Sequence, residues 1–306
     1  MMGDAIALCL SGAISPEVAL ARLVLEGHDI DATSARLAAE GSRAAPLQRM
    51  LDNHRENLTR LAEIVSEHGI SHDWHEDSRS AAVARIAASF DRAVQHLPEA
   101  SVAAYSLGDP AILARATGEL IEWLAVRGLA APEMDVLDLG CGIGRVAIAL
   151  APMVRSVLGL DVSFAMIEAA RSRANGVTKV RFEQTSGTEL ASLPDRAFDL
   201  ILAVDSFPYL VQAGVAEAHL YDVPRLLRPG GAFAIFNLSY GGLEADRMQA
   251  ASWAKAYDLA LACNGEQPFR LWDGAAFLFG SLERDGLRRT RVPNSRANWG
   301  PDRRKA

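Results

Sequence analysis

Val136-Leu-Asp-Leu-Gly-Cys-Gly-Ile-Gly-Arg145 is the stretch of sequence that decides the fold. It begins as a mostly apolar run, passes through three glycines at alternate positions and leads into a segment with helical spacing. Glycine has no β-carbon, so the backbone can turn sharply there and come close to a ligand. The order of strand, glycine turn and helix predicts an α/β unit with a ligand site at the turn. A glycine-rich turn that binds nothing is the simpler alternative.

The spacing of the glycines argues against a nicotinamide-binding turn. The pattern of such turns, G-x-G-x-x-G, needs a third glycine at position 145, where this chain has Arg145. Asp138 precedes the first glycine by two positions, and its carboxylate would repel a pyrophosphate but attract an ammonium group. A nicotinamide oxidoreductase stays an alternative, which saturable binding of NAD would support.

A second acid, Asp161, closes the next apolar run. A carboxylate at that point can accept hydrogen bonds from both hydroxyls of a ribose, and such charge-assisted bonds are among the stronger ones in proteins. The alternative is structural, because an aspartate there can also serve as the N-cap of the helix that contains Met166.

Short apolar runs alternate with helical stretches around these motifs. They lie at residues 136–139, 157–160, 180–182, 200–204 and 232–237. Near-continuous apolar strands separated by helices predict a parallel sheet that is covered on both faces, and right-handed crossovers make it doubly wound. Residues 259–262 and 275–280 have no room for a crossover helix between them, so they predict an antiparallel pair at one edge.

The first hundred residues have helical rather than strand periodicity. Ser15-Pro16 and Asp109-Pro110 each predict a helix start, with an N-cap followed by proline at the first helical position. A stripe of apolar residues favours a packing face over a cofactor site; it consists of Val83, Ile86, Phe90, Val94 and Leu97. We expect a helical accessory or lid region at 1–100, a catalytic domain at 101–285 and a basic C-terminal tail at 286–306.

Composition and charge restrict the classes of partner. The chain has 306 residues, of which 50% are hydrophobic, and a net charge of −7, so it has the core of a globular protein and lacks the overall basic charge for broad nucleic-acid binding. Residues 284–306 carry eight basic and two acidic side chains, which is typical of a solvated terminus. No membrane segment or export signal is expected, and a cytoplasmic location fits best.

The cysteines and histidines do not predict a metal site or a disulfide framework. Three cysteines give an odd total without paired spacing. His68, His72 and His75 form a cluster, but Gly69 and Ser71 interrupt the helix that would aim them at one point. We therefore expect no metal.

Four blocks of the sequence resemble the class I S-adenosylmethionine-dependent methyltransferases, over about Tyr105 to Leu282. The blocks are Asp138-Leu-Gly-Cys-Gly-Ile-Gly144, Asp161-Val-Ser-Phe-Ala-Met166, Phe198-Asp-Leu-Ile-Leu-Ala-Val-Asp205 and Leu227-Arg-Pro-Gly-Gly231. The resemblance implies a Rossmann-like, seven-stranded, mainly parallel sheet with one antiparallel strand, behind the N-terminal helical region.

The resemblance also implies the cofactor and its contacts. Asp138 and Gly140 would approach the methionine part of S-adenosylmethionine, Asp161 the ribose and Met166 one face of the adenine. The full set of implied cofactor-binding residues is Tyr105, Asp138, Gly140, Cys141, Gly142, Gly144, Asp161, Val162, Met166, Ser186, Gly187, Thr188 and Asp205. Ser186 departs from the family pattern, because many relatives have an acid there that binds the adenine amino group.

The acceptor side is less well marked. Asp205 and Tyr209 follow the fourth strand, at the edge where open α/β sheets bind ligands, and they are the candidate catalytic residues. Asp205 either orients or deprotonates an acceptor, or it only caps the next helix. Tyr240 and the segment Phe269 to Gly274 are candidate pocket walls, or packing residues.

The resemblance implies transfer of a methyl group by in-line displacement to an acceptor that we expect to be a small molecule. Positioning of the two reacting atoms would supply most of the rate, with a base needed only where the acceptor loses a proton. A non-catalytic module that binds S-adenosylmethionine for regulation or assembly is the alternative. The acceptor's identity and the oligomeric state stay open.

Overall fold

A seven-stranded sheet organises the part of the chain that the computed structural model describes, residues 4–68 and 78–281. Its strands follow the order β3-β2-β1-β4-β5-β7-β6. They are β1 (Asp135–Leu139), β2 (Ser156–Asp161), β3 (Val180–Gln184), β4 (Phe198–Val204), β5 (Leu227–Phe236), β6 (Leu259–Glu266) and β7 (Ala276–Ser281). Strands β1 to β5 pair in parallel, whereas β7 is antiparallel to both β5 and β6. The predicted doubly wound α/β fold is confirmed.

Helices cover both faces of the sheet and form the N-terminal region. Those before the sheet are α1 (Ala5–Leu10), α2 (Pro16–Leu25), α3 (Ile30–Ala39), α4 (Ala45–His68), α5 (Arg79–His96), α6 (Pro98–Val102) and α7 (Pro110–Val126). Those between strands are α8 (Arg145–Leu150), α9 (Phe164–Arg173), α10 (Phe207–Gln212), α11 (Ala216–Leu226) and α12 (Leu243–Ala256). Two short 3₁₀ turns lie at Gly41–Ala44 and Ala104–Ser106.

Local sequence signals set the helix starts that were predicted. The Ser15 hydroxyl accepts a hydrogen bond from the Val18 amide at 3.3 Å, and the Asp109 carboxylate accepts one from the Ala111 amide at 2.7 Å. Each cap satisfies an amide that has no partner inside its helix. Strand β5 begins earlier than its apolar run predicted, because Leu227 already pairs with Phe198 before a bulge.

The N-terminal helices share one apolar core with the sheet. The same contiguous cluster of buried side chains contains Ile6 of α1, Val136 of β1 and Leu278 of β7. The loop between β6 and β7 carries Trp272, which is buried and stacks on Tyr105 with ring centroids 5.7 Å apart. These contacts fix the helical region against the antiparallel edge of the sheet.

Polar contacts hold the same loop to two of the helices. The Glu119 carboxylate on α7 accepts hydrogen bonds from the amides of Arg270 and Leu271, at 2.9 and 3.1 Å. Arg22 on α2 forms an ion pair with Asp273 at 2.7 Å. The loop between β6 and β7 is therefore bound from two sides by helices that precede it by 150 residues or more.

Several predictions fall on residues outside the described ranges. His72, His75 and the basic tail at 286–306 are among them. Within residues 4–68 and 78–281, no group of three or more His, Cys, Asp or Glu side chains is placed to hold a metal ion. None of the helices in those ranges combines the length and apolar character needed to cross a membrane.

Replacement of Trp272 by alanine should strongly destabilise the protein. The side chain is 4% exposed, so its loss removes buried apolar surface and leaves a cavity, at a cost of about 3–5 kcal/mol in the free energy of unfolding. Urea denaturation followed by circular dichroism measures this change. Tyr221→Ala is the control, because Tyr221 is 76% exposed and should change stability by no more than ~0.5 kcal/mol. Equal effects of the two substitutions would contradict the packing role of Trp272.

Candidate functional site

The glycine turn after β1 has the backbone conformation that its sequence predicted. Gly140, Gly142 and Gly144 have φ angles of 73°, 52° and 76°, in the left-handed region that L side chains rarely adopt. The amides of Gly140 and Cys141 both donate to the Leu160 carbonyl, at 2.7 and 3.0 Å. A β-carbon on Gly140 would lie 2.3 Å from the β-carbon of Ser206, so the turn also needs glycine to let the loop after β4 come close.

Two members of the turn pack into the protein. A β-carbon on Gly144 would lie 2.6 Å from the ring of Phe182 on β3, so this glycine permits close packing of the turn against the sheet. The Cys141 side chain is buried, and its sulfur would lie 3.0 Å from a β-carbon on Gly159 of β2. Gly144 and Cys141 thus pack against the interior of the protein, while the backbone of the turn faces the carboxyl edge of the sheet.

Asp161 ties the ends of β1 and β2 together. Its two carboxylate oxygens accept hydrogen bonds from the Gly142 amide at 2.8 Å and the Ser163 amide at 2.9 Å. The alternative role as N-cap of α9 is wrong, because the cap is Ser163, whose hydroxyl accepts from the Met166 amide at 3.1 Å. Burial raises the pKa of Asp161, and the two amides oppose that shift.

Asp138 is a buried carboxylate with an unused oxygen. The residue is 1% exposed, and within the described part of the chain its Oδ2 atom has no hydrogen-bond partner. Burial raises the pKa of Asp138 to about 7, although the nearby Arg145 charge lowers it. A buried carboxylate oxygen without a partner is costly unless a ligand satisfies it, and a cationic donor such as an ammonium group would do so.

Arg145 supplies positive charge to the site. In the sequence this position mattered only because a nicotinamide-binding turn would have glycine there. Its guanidinium donates to the Thr117 hydroxyl and to the Tyr105 hydroxyl, both at 3.1 Å. Its charge lowers the pKa of both Asp138 and Asp205 against the effect of burial. Tyr105 is therefore held at the site through Arg145, a contact that no local sequence signal predicted.

Asp205 and Asn237 end neighbouring strands β4 and β5 and are joined at the carboxyl edge. Asn237 Nδ2 donates to Asp205 Oδ1 at 2.6 Å, and both residues have positive φ angles, of 64° and 56°. Asp and Asn tolerate that conformation better than other side chains. The helix-capping alternative for Asp205 is wrong, since the residue at the N-cap of α10 is Ser206. Burial raises the pKa of Asp205 to about 7.

Two other predicted acceptor residues, Tyr209 and Tyr240, form an aromatic group beside Asp205, whereas Phe269 and Trp272 of the predicted wall pack on Phe236. The Tyr209 ring meets those of Phe90 and Tyr240 edge-on, with centroid distances of 5.0 and 5.9 Å. Tyr209 is half-buried, whereas Tyr240 is 53% exposed. Phe90 lies on α5, so the N-terminal region reaches the acceptor side of the sheet. The sequence predicted a lid region at residues 1–100 but did not indicate which of its residues would lie there.

The remaining predicted cofactor residues separate into a covered and an exposed pair. Val162 and Gly187 lie together under Val83 of α5, since a β-carbon on Gly187 would be 2.3 Å from Val162 Cγ1 and 2.9 Å from Val83 Cγ1. Ser186 is exposed, and its hydroxyl bonds to that of Thr188 at 3.1 Å.

Met166 completes the set. It is fully buried, with its sulfur 4.0 Å from the position of a β-carbon on Gly142. Its side chain therefore lies against the glycine turn.

Comparison with known proteins finds methyltransferases that are similar to the part of the chain that contains the glycine turn. Residues 136–231 match the family model of a methyltransferase domain. The uncharacterized methyltransferase YcgJ of Bacillus subtilis (strain 168) is 35% identical over 105 residues, which is 34% of this chain and 40% of that protein. The demethylmenaquinone methyltransferase of Tropheryma whipplei (strain Twist) is 32% identical over 113 residues, 37% of this chain and 45% of that protein. The chain thus spans less than half the length of these curated relatives.

Among solved structures, the crystal structure of YcgJ matches 48% of this chain and 69% of its own, with 25% identity and a TM-score of 0.39. The match to the family model includes the glycine turn, Asp138 and Asp161, the residues that the geometry singles out. Residues 136–231 are thus similar to a methyltransferase domain, and both of the relatives named above are methyltransferases.

The residues of the site fit S-adenosylmethionine, the cofactor that the resemblance to methyltransferases implies. The unused oxygen of Asp138 suits the ammonium group of S-adenosylmethionine, and the glycine turn removes side chains from the path of its methionine part. Each Asp161 oxygen accepts one amide and has a second lone pair for a ribose hydroxyl.

The Asp138→Asn variant should gain stability relative to wild type as the pH rises from about 4 to about 7. The folded pKa of Asp138 is about 7 and its ordinary value is 3.8, so in this interval the native state keeps a proton that the unfolded state releases. The stability of the wild-type protein therefore falls as the pH rises through this interval. The asparagine side chain of the variant does not ionise, so the variant avoids that loss. Urea unfolding of both proteins near pH 5 and near pH 7.5 measures the difference. Asp258→Asn, at an exposed site with φ of 52°, is the control. A pH-independent difference for Asp138→Asn would contradict the assignment.

Proposed function

We propose that this protein is a methyltransferase that uses S-adenosylmethionine to methylate a small-molecule acceptor. The observation that carries the proposal is the unpartnered, buried oxygen of Asp138 beside the glycine turn, in a segment that matches the methyltransferase family. When bound, S-adenosylmethionine supplies a methyl group on a sulfonium that is already an activated leaving group.

The side chains at the carboxyl edge divide the work of binding between them. Asp138 would hold the ammonium group, and Asp161 would accept from the ribose hydroxyls while keeping the turn in place. Charge-assisted hydrogen bonds of this kind contribute about 1.5–3 kcal/mol each. Val162 and Gly187 would line the adenine end, where the exposed Ser186 makes the weaker contact.

Two observations favour a small acceptor over a polymer. They are the negative net charge of the chain and the helix that covers the acceptor side. The chain carries a net charge of −7, which disfavours binding to a phosphate backbone. Phe90 packs on Tyr209, so helix α5 covers the acceptor side instead of leaving an open groove. A small molecule can be enclosed there, and enclosure excludes water from the reacting atoms.

Asp205 is the proposed proton acceptor for an acceptor group that must lose a proton. Its carboxylate lies at the end of β4, is oriented by Asn237, and has a pKa of about 7, which suits a base that works near neutral pH. The Asp205 carboxylate would accept the proton from the acceptor atom while that atom bonds to the methyl carbon, the methyl–sulfur bond breaks and S-adenosylhomocysteine leaves. Tyr209 would form one wall, and burial raises its pKa, so it acts as a neutral hydroxyl.

Asp138→Asn should weaken binding of S-adenosylhomocysteine about ten- to a hundredfold, because the amide lacks the charge that attracts the ammonium group. Titration calorimetry near pH 8 measures the affinity. Thermal melting without ligand should show no loss of stability at that pH, since the substitution removes a buried charge. Asp258→Asn should bind as wild type does. Unchanged affinity in a folded Asp138→Asn protein would contradict the cofactor site.

Turnover tests the enzymatic part of the proposal. Methyl-labelled S-adenosylmethionine is incubated with fractionated metabolites, and formation of S-adenosylhomocysteine together with a labelled small molecule is the expected result. Cofactor binding without product from any fraction would favour the non-catalytic module, and label found only in RNA or protein would contradict the small-molecule acceptor.

With an acceptor identified, Asp205→Asn should reduce kcat/KM by about 10²–10⁴-fold and remove the rise in rate through about pH 7. Asparagine tolerates the positive φ and can still accept from Asn237, so the fold should be preserved. The pH–rate profile is measured at saturating cofactor. A variant that keeps the wild-type profile would show that Asp205 is not the base.

A further inference from the structure

The loops after β4 and β5 meet at two points on the acceptor side of the sheet. At the first point, Asn237 Nδ2 donates a hydrogen bond to Asp205 Oδ1 at 2.6 Å. At the second point, a few residues further along each loop, the rings of Tyr209 and Tyr240 lie 5.9 Å apart. The carboxylate and the two phenol rings therefore belong to one group of side chains.

Asp205 keeps one carboxylate oxygen for a ligand. Its Oδ1 atom accepts from Asn237, whose own side-chain oxygen accepts from the Ala275 amide at 3.1 Å, so the orientation of the Asn237 amide is fixed. Among residues 4–68 and 78–281, the Oδ2 atom of Asp205 has no hydrogen-bond partner. Asp205 is half-buried rather than fully covered, so Oδ2 can accept from a donor on a bound acceptor.

The charges that act on Asp205 leave an excess of negative charge around it. Arg145 lowers the pKa of Asp205 and also that of Asp138, so one guanidinium is shared by two carboxylates. Asp273 acts in the opposite direction and raises the pKa of Asp205, although Asp273 itself pairs with Arg22 at 2.7 Å. Such a site attracts a cationic acceptor and repels an anionic one.

The same charge restricts which kind of atom can attack a methyl group there. A hydroxyl or a thiol becomes an anion when it loses its proton, and carboxylates nearby make a second anion unfavourable. An ammonium group that loses a proton becomes a neutral amine, whose lone pair is a nucleophile that adds no negative charge. Of these acceptor groups, the amine is the one that suits a site with excess negative charge.

Aromatic rings beside the carboxylate provide a second means of recognising an ammonium group. The Tyr209 ring plane lies at 83° to that of Phe90 and at 81° to that of Tyr240. The charge of Asp205 raises the pKa values of Tyr209 and Tyr240, so both phenols lie within its electrostatic range. Ring faces attract cations, and groups of rings recognise ammonium ligands in this way.

We propose that the methyl acceptor is an amine, bound as an ammonium group by Asp205 Oδ2 and the rings of Tyr209 and Tyr240. The inference rests on the proposed function, since it names the acceptor class of the same site. The ammonium group gives a proton to Asp205, and the nitrogen lone pair forms a bond to the methyl carbon while the electrons of the methyl–sulfur bond stay on sulfur. The products are a methylated ammonium ion and S-adenosylhomocysteine, and Asp205 then releases its proton to water.

Three probes of similar shape test the preference for a cation. Near pH 7.5 butylamine is positively charged, butanol is neutral and butyrate is negatively charged. With saturating S-adenosylhomocysteine, butylammonium should bind about ten- to a hundredfold more tightly than butanol, the effect of a charge-assisted hydrogen bond, and butyrate should bind most weakly. NMR titration of each probe against the full chain measures the affinities. The preference should decline as the pH falls below about 7, because Asp205, with a pKa of about 7, then becomes neutral.

Two variants separate the carboxylate from the rings. Asp205→Asn should remove both the preference for butylammonium and its pH dependence. Tyr240→Leu should weaken binding of butylammonium by about 2- to 30-fold, the range of a cation–π contact, with less effect on butanol. Tyr240 is 53% exposed, so its replacement should preserve the fold. Tyr221→Leu is the matched control, because Tyr221 is 76% exposed on α11 and should leave the binding of all three probes unchanged.

The labelled product from the metabolite fractions provides the second measure, since NMR assigns its new methyl group to nitrogen, oxygen, sulfur or carbon. An N-methyl product, together with tighter binding of butylammonium that Asp205→Asn abolishes, supports the amine acceptor. A methyl group on another element, or butylammonium binding no better than butanol, overturns the amine acceptor and leaves the proposed function intact. Failure of the wild-type protein to bind S-adenosylhomocysteine at millimolar concentration overturns the proposed function and the amine acceptor together.

Discussion

The hydrogen bonds of the Asp161 carboxylate are the interaction on which the site depends. They join the Gly142 amide, in the turn after β1, to the Ser163 amide, just before α9. The carboxylate therefore holds the loop after β1 against the loop after β2. With this link in place, Asp138 lies under the turn and Ser163 is positioned to cap α9. The same carboxylate can therefore support the fold and face a ligand.

The site contains more buried negative than positive charge. Asp138, Asp161 and Asp205 all have raised pKa values because of burial, and Arg145 is the cation that acts on two of them. Buried carboxylates of this kind reduce the stability of the folded protein when they ionise. A ligand with positive groups, as S-adenosylmethionine is, would compensate that charge. Such a site favours binding of a cationic ligand at the expense of the stability of the folded protein.

The N-terminal helices are as much a part of the site as the strands. The segment that matches the methyltransferase family, residues 136–231, contains neither Val83, Asp91, Val102 nor Tyr105. These residues cover the glycines, accept a hydrogen bond from the first turn of α9 and contact Arg145. These contacts come from residues 79–106, and the loop that carries Trp272 packs against Tyr105 in that range.

The sequence by itself determined the strands, most of the helices and the glycine turn at the carboxyl edge of the sheet. Apolar runs, helix caps and alternate glycines are local signals that reflect steric and hydrogen-bonding demands within a few residues, so the strands, the turn and the acids Asp138 and Asp161 could be read directly. The tertiary structure decided which side chains from distant parts of the chain contact these strands, the turn and the acids. The apolar stripe containing Val83 and Phe90 predicted burial but not the partner, and Asp91 carried no signal at all, since its contacts to Ser163 and Ala165 span 72 and 74 residues. Contacts over that separation depend on how helices pack in three dimensions, which the sequence pattern of one helix does not specify.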